Sequence, residues 1–176
     1  MNFKFSAEDL KEIDGIKYRV EENSRQMDEI VNSIIKPYIT DLDDYVLFIK
    51  ECLADGQNPP TDVELDDFVM NLSTYIYFAS GMCEQLGIRD DIAEAVYKEM
   101  YHSARSKLDE GTVADKNSLA ELEAQRENII SICYTRAYKT VKAKVESAQE
   151  LLSSCKKVLS RRLAMMELTR MGGSGR

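Results

Sequence analysis

The sequence predicts an all-α fold, a helical bundle with a long C-terminal amphipathic helix mediating ring or coiled-coil oligomerisation. Three observations carry that expectation. Apolar residues recur at helical spacing along nearly the whole chain. Only 8 Gly and 3 Pro interrupt 176 residues, and Trp is absent. From Ser118 to Met171 neither glycine nor proline occurs. A chain of this length suffices for one hydrophobic core.

Leu10, Ile13, Ile16 and Val20 open the first apolar pattern, and Gly15 weakens it by about 1 kcal/mol relative to Ala. Met27, Ile30, Val31, Ile34 and Ile35 form a stronger stripe. Pro37 lacks an N–H and crowds the preceding turn, so it predicts an end or a kink near Ile35 or Lys36. Leu42, Tyr45, Val46, Ile49 and Leu53 make a second apolar face. The segment ADGQNPPTD then breaks the chain.

Thr61 and Glu64 have the spacing of a capping box, which starts the next helix. Leu65, Phe68, Val69, Leu72, Tyr75 and Ile76 are its candidate buried face. Gly87 suits a C-terminal cap, and Asp90 and Asp91 suit the first turn of another helix. That helix fades at DEGTVADKN. Ser118 and Glu121 form a second capping-box pattern, from which a helix of about 50 residues and about 75 Å is expected.

The seam of that last helix reads Ile130, Tyr134, Ala137, Val141, Val145, Ala148, Leu152, Cys155, Leu159 and Leu163. Steps of three and four are those of a coiled coil. The members Val141, Val145, Ala148, Leu152, Cys155, Leu159 and Leu163 are the expected oligomer interface. Leu151, Val158 and Met165 widen the stripe toward a bundle or ring of several chains. Three segments result: an acidic helical domain over 1–111, the oligomerisation helix over 112–173, and a linker-like tail over 174–176.

Charge divides the same way. Residues 1–121 hold 12 Lys and Arg against 26 Asp and Glu, a net of −14, whereas residues 122–176 hold 11 against 5, a net of +6. Two readings compete for the basic end. It is a solvated helix face balanced by acidic neighbours, or a surface that neutralises phosphates and releases counterions. Tyr97, Tyr101 and His102 stand among Lys98, Arg105 and Lys107, a mixture that suits base stacking beside backbone contacts. The same tyrosines equally suit half-buried amphipathic packing.

Several chemistries find no support. No glycine-rich phosphate loop, GxSxG or HExxH occurs. Cys52, Cys83, Cys133 and Cys155 are far apart in sequence, and the single His102 has no local partner for a metal site. The cysteines are expected as small buried apolar groups in a reducing compartment. Adjacent acids such as Asp43–Asp44, Asp66–Asp67 and Asp90–Asp91 point about 100° apart on a helix, so they do not converge. The expectation is a non-enzymatic protein without cofactor. It is also expected to be cytoplasmic, since no secretory or membrane-spanning pattern is found.

From the tyrosine cluster onward, the chain resembles the recombination mediator proteins of T4-like phages. The segment VYKEMYHSARSKL stands where that family has a basic, tyrosine-containing helix, with Tyr101 and His102 at the aromatic pair and Lys98 upstream. VLSRRLAMMELTRMGG matches the family's ending through Val158, Ser160, Arg161, Leu163, Met165, Leu168 and Gly173. The family's second tyrosine is His102 here, and its aromatic in the last turn is missing. The resemblance covers somewhat over half the chain; the first 60 or so residues lie outside it. It implies a helical homo-oligomer, located in the host cytoplasm, that binds single-stranded DNA and loads a recombinase onto DNA coated by single-strand-binding protein. The DNA contacts would be Tyr97, Lys98, Tyr101, His102, Arg105 and Lys107, with Arg136, Lys139 and Lys142 from the long helix. A coiled-coil structural or adaptor protein without nucleic-acid binding is the alternative.

Overall fold

The computed structural model describes residues 7–173. The linker-like tail assigned to 174–176 lies outside them. Four helices and no strand occur among the described residues: α1 (Ala7–Ala54), α2 (Asp62–Ser106), α3 (Val113–Glu123) and α4 (Gln125–Gly173). The fold is an all-α bundle, as the apolar periodicity implies.

The two breaks that set the topology are locally determined. After α1, the Asp55 carboxylate accepts from the N–H groups of Gln57 and Asn58 at 3.0 and 3.3 Å, which fixes a turn. Thr61 then caps α2 as expected: its hydroxyl accepts from the Glu64 N–H, and the Glu64 carboxylate accepts from the Thr61 N–H at 2.7 Å. After α2, Gly111 takes φ +106°, a left-handed conformation that favours glycine. Thr112 and Asp115 form a second reciprocal cap that starts α3.

Three cross-helix pairs define the direction of each helix. Asp43 of α1 pairs with Lys144 of α4, Asp62 at the start of α2 with Arg162, and Asp90 of α2 with Thr135. α4 therefore runs parallel to α1 and antiparallel to α2. One continuous core joins the three long helices, with Ile49, Leu65, Leu72, Leu86, Cys133 and Val141 wholly buried. Between α1 and α2 it is edged by aromatics: Tyr45 and Tyr75 at 4.9 Å, Phe48 and Phe68 edge-on at 5.9 Å.

Four expectations are corrected. Pro37 does not end α1, which stays helical through it. Ile35, Tyr38, Ile39 and Leu42 on both sides of the proline are buried in the core, and that packing outweighs one missing hydrogen bond. Gly87 does not terminate a helix; α2 runs through it to Ser106, and Asp90 and Asp91 lie mid-helix. The long C-terminal helix begins at Gln125 rather than at the Ser118 pattern, because Ser118 lies inside the short α3.

The fourth concerns the seam. Val141, Val145, Ala148 and Cys155 are not an interface between chains; α1 and α2 of the same chain bury them. Leu152 and Leu159 are half-buried on the edge of that core, and only Leu163 is exposed. Correspondingly, α4 does not stand apart from the acidic helices. Its buried residues belong to the same core as those of α1 and α2.

Candidate nucleic-acid interface

The first set of candidate DNA contacts sits on the last turns of α2. Tyr97 and Tyr101, one helical turn apart, have ring centroids 6.4 Å apart, and His102 meets Tyr101 edge-on at 5.4 Å. Both tyrosines are half-buried, whereas His102 is exposed. Neighbouring Ala104 is buried, as are Ala120 of α3 and Ala124 at the α3–α4 junction. The tyrosines therefore combine a packing role with an accessible edge. Lys98 forms an exposed ion pair with Glu94 at 2.6 Å. Arg105 lies in the helix's last turn and Lys107 is its C-cap, where positive charge complements the helix dipole.

The charge around this set is mixed. From Asp90 to Glu110 there are six Asp and Glu against Lys98, Arg105 and Lys107. A phosphate approaching this end meets carboxylates as readily as cations.

The second set has a different setting. Arg136, Lys139 and Lys142 recur every third residue on α4 and are all exposed. Lys139 also lines a groove of about 570 Å³ between α1 and α4, together with Lys50 and Lys144. Lys144 is paired with Asp43, the one acid that lines this groove. Farther along, Lys156, Lys157 and Arg161 are exposed too. Among the described residues, none of these six exposed cations forms an ion pair; Lys144 and Arg162 are the α4 cations that do.

The structure does not bring the two sets into one pocket. The Thr135 hydroxyl donates to Asp90 at 2.7 Å and marks the boundary between them. Tyr97 to Lys107 lie on the α3 side of that contact, and Arg136 to Lys142 lie on the other. Lys50 was not singled out from the sequence as a contact. Lys50 gave no signal there, since its helix is acidic and only tertiary packing sets it beside Lys139.

Cys83, Cys133 and Cys155 are buried free thiols, and burial pushes each above its ordinary value. Cys52 is half-buried and free. Among the described residues, no group of three or more His, Cys, Asp or Glu is placed to hold a metal ion. No helix among them is long and apolar enough to cross a membrane.

Fold and site together define a helical-bundle protein with a cationic outer helix face on an acidic chain. No protein-family model matches the chain, and no curated protein or solved structure is significantly similar to it.

Proposed function

We propose that this protein is a non-enzymatic, self-assembling binder of single-stranded DNA. The observation that carries this reading is the set of exposed, unpaired cations on α4: Arg136, Lys139 and Lys142, continued by Lys156, Lys157 and Arg161. A chain with net charge −8 has acids available to neutralise such a face, yet these cations stay free. Cations spaced along one helix suit a run of phosphates, and counterion release supplies the affinity. Tyr97, Tyr101 and His102 would add stacking at the α2 end. Recombinase loading, with a recombinase and single-strand-binding protein as partners, follows from the resemblance to recombination mediators and from nothing else.

The test is fluorescence anisotropy with labelled oligo-dT. Binding at micromolar or tighter concentration that weakens steeply with salt supports the reading. No binding at low salt by the full chain removes it.

A second reading, an adaptor without nucleic-acid binding, is favoured by a specific observation. Both ends of the bundle carry exposed apolar helix, with Ile16 and Val20 on α1 and Met165, Leu168 and Met171 on α4. An oligomer indifferent to oligonucleotide would establish that reading instead.

A further inference from the structure

The bundle has three long helices over most of its length but only two lining one end. There, α2 and α4 leave a groove of about 450 Å³ between them, lined by Ile92, Val96, Ile130 and Tyr134 and flanked by Arg89 and Arg126. None of its lining residues comes from α1. The groove lies on the side of α2 and α4 that α1 covers farther along, where Arg89 stacks on Tyr38 at 5.5 Å. Ile92, Val96 and Ile130 are 57%, 49% and 44% exposed, too much apolar surface to be scattered side chains.

The matching surface is on α1. Its buried stripe of Val31, Ile35, Tyr38 and Leu42 continues toward the N-terminus through Ile13, Ile16 and Val20 at the same spacing. There the stripe loses its cover: Ile16 and Val20 are 53% and 61% exposed. Among the described residues, no hydrogen bond or ion pair ties 11–26 to another helix; its pairs, such as Lys17–Asp14 and Arg25–Glu22, are local. From Ile13 to Val20 the rise is about 10 Å, close to that from Arg89 to Val96 along the groove.

We propose that the groove between α2 and α4 receives the N-terminal part of α1 from a second copy of this chain. Charge selects this occupant. Residues 7–29 hold eight Asp and Glu against four Lys and Arg, which suits the flanking Arg89 and Arg126. Another exposed apolar segment, the end of α4, is cationic through Lys156, Lys157, Arg161 and Arg170, and the same arginines repel it. Glu127, also in the lining, has a buried carboxylate oxygen without a partner, and Lys17 or Arg19 of the incoming helix supplies the opposite charge. The contact gives the proposed function its self-assembly but does not depend on DNA.

Light scattering and directed cross-linking of the full chain, without oligonucleotide, test it. The wild type is expected at two or more times 20.1 kDa, and Ile92→Asp at a single chain with unchanged helical circular dichroism. In a Cys52→Ser background, separately purified Ile16→Cys and Val96→Cys chains should cross-link to each other on oxidation, while Ile16→Cys mixed with Tyr77→Cys should not. A wild type at the mass of one chain overturns the proposal. So does an oligomer that Ile92→Asp leaves intact, or a doubly substituted Ile16→Cys/Val96→Cys chain that closes only within itself. A wild-type oligomer that Ile92→Asp dissociates but that binds no oligo-dT in the separate anisotropy test supports this contact and counts against the DNA reading alone.

Discussion

Gly87 of α2 lies so close to Tyr138 of α4 that a Cβ at residue 87 would stand 3.2 Å from the ring's Cε2. The glycine is therefore a contact point between two long helices. It also accounts for a helix that continues where a glycine suggests an end.

Substitution at residue 87 should divide by size. Gly87→Ala gains about 1 kcal/mol in helix propensity and gives most of it back against the ring, leaving stability nearly unchanged. Gly87→Leu forces the helices apart and should cost about 1–3 kcal/mol. Gly81, in the same helix with nothing within 4 Å of a Cβ, provides the control. Gly81→Ala should stabilise by up to about 1 kcal/mol. Urea unfolding of the three variants measures all of this.

Core placement of the α4 seam predicts stability effects that precede assembly. Leu72 and Val141 are wholly buried. Leu72→Ala should cost about 2–5 kcal/mol and Val141→Ala about 2 kcal/mol. The losses should not change with protein concentration. Met70→Ala, at a 65% exposed position, should stay within about 0.5 kcal/mol.

Arg162 fastens the end of α4 to the start of α2. It donates to the Pro60 carbonyl at 2.6 Å and to the Asp62 carboxylate at 3.2 Å. About a third of each side chain remains exposed, so solvent weakens the pair. Arg162→Ala should cost about 1 kcal/mol. Hydrogen exchange should quicken at the α4 C-terminus before anywhere else in that helix.

Acid should loosen both helix starts. The Thr61 backbone N–H and hydroxyl hold the Glu64 carboxyl below its ordinary value, and the Thr112 hydroxyl and backbone hold Asp115 below its own. A depressed carboxylate stabilises the fold above its unfolded-state pKa and loses that effect as pH falls through the folded one. Both caps are thus intact at neutral pH and fail below the ordinary carboxylate range. Thr61→Ala and Thr112→Ala should lower the thermal midpoint at pH 7 and have a smaller effect at pH 3, by circular dichroism.

Local chemistry made much of this fold legible. The Thr61–Glu64 cap and the length of the last helix depend on neighbouring residues, and both are read directly from sequence. Pro37 and Gly87 misled as helix ends because each is overruled by contacts far away in the chain, with the core on both sides of Pro37 and with the Tyr138 ring. The seam through Val141 and Cys155 has the same spacing whether a second chain or α1 and α2 cover it. Only the fold distinguishes those cases. Among the candidate contacts, exposure of Arg136, Lys139 and Lys142 was legible from periodicity, but their separation from Tyr97 and Tyr101 depends on helix register.

The salt dependence of oligo-dT binding tests the central claim most directly. Each cation in contact with a single-stranded phosphate contributes about 0.7 to the slope of log K against log salt. Replacing Arg136, Lys139 and Lys142 together by Gln should therefore lower the slope by about 2 and weaken binding, with the fold intact by circular dichroism. An unchanged slope and affinity in the triple variant would contradict the account.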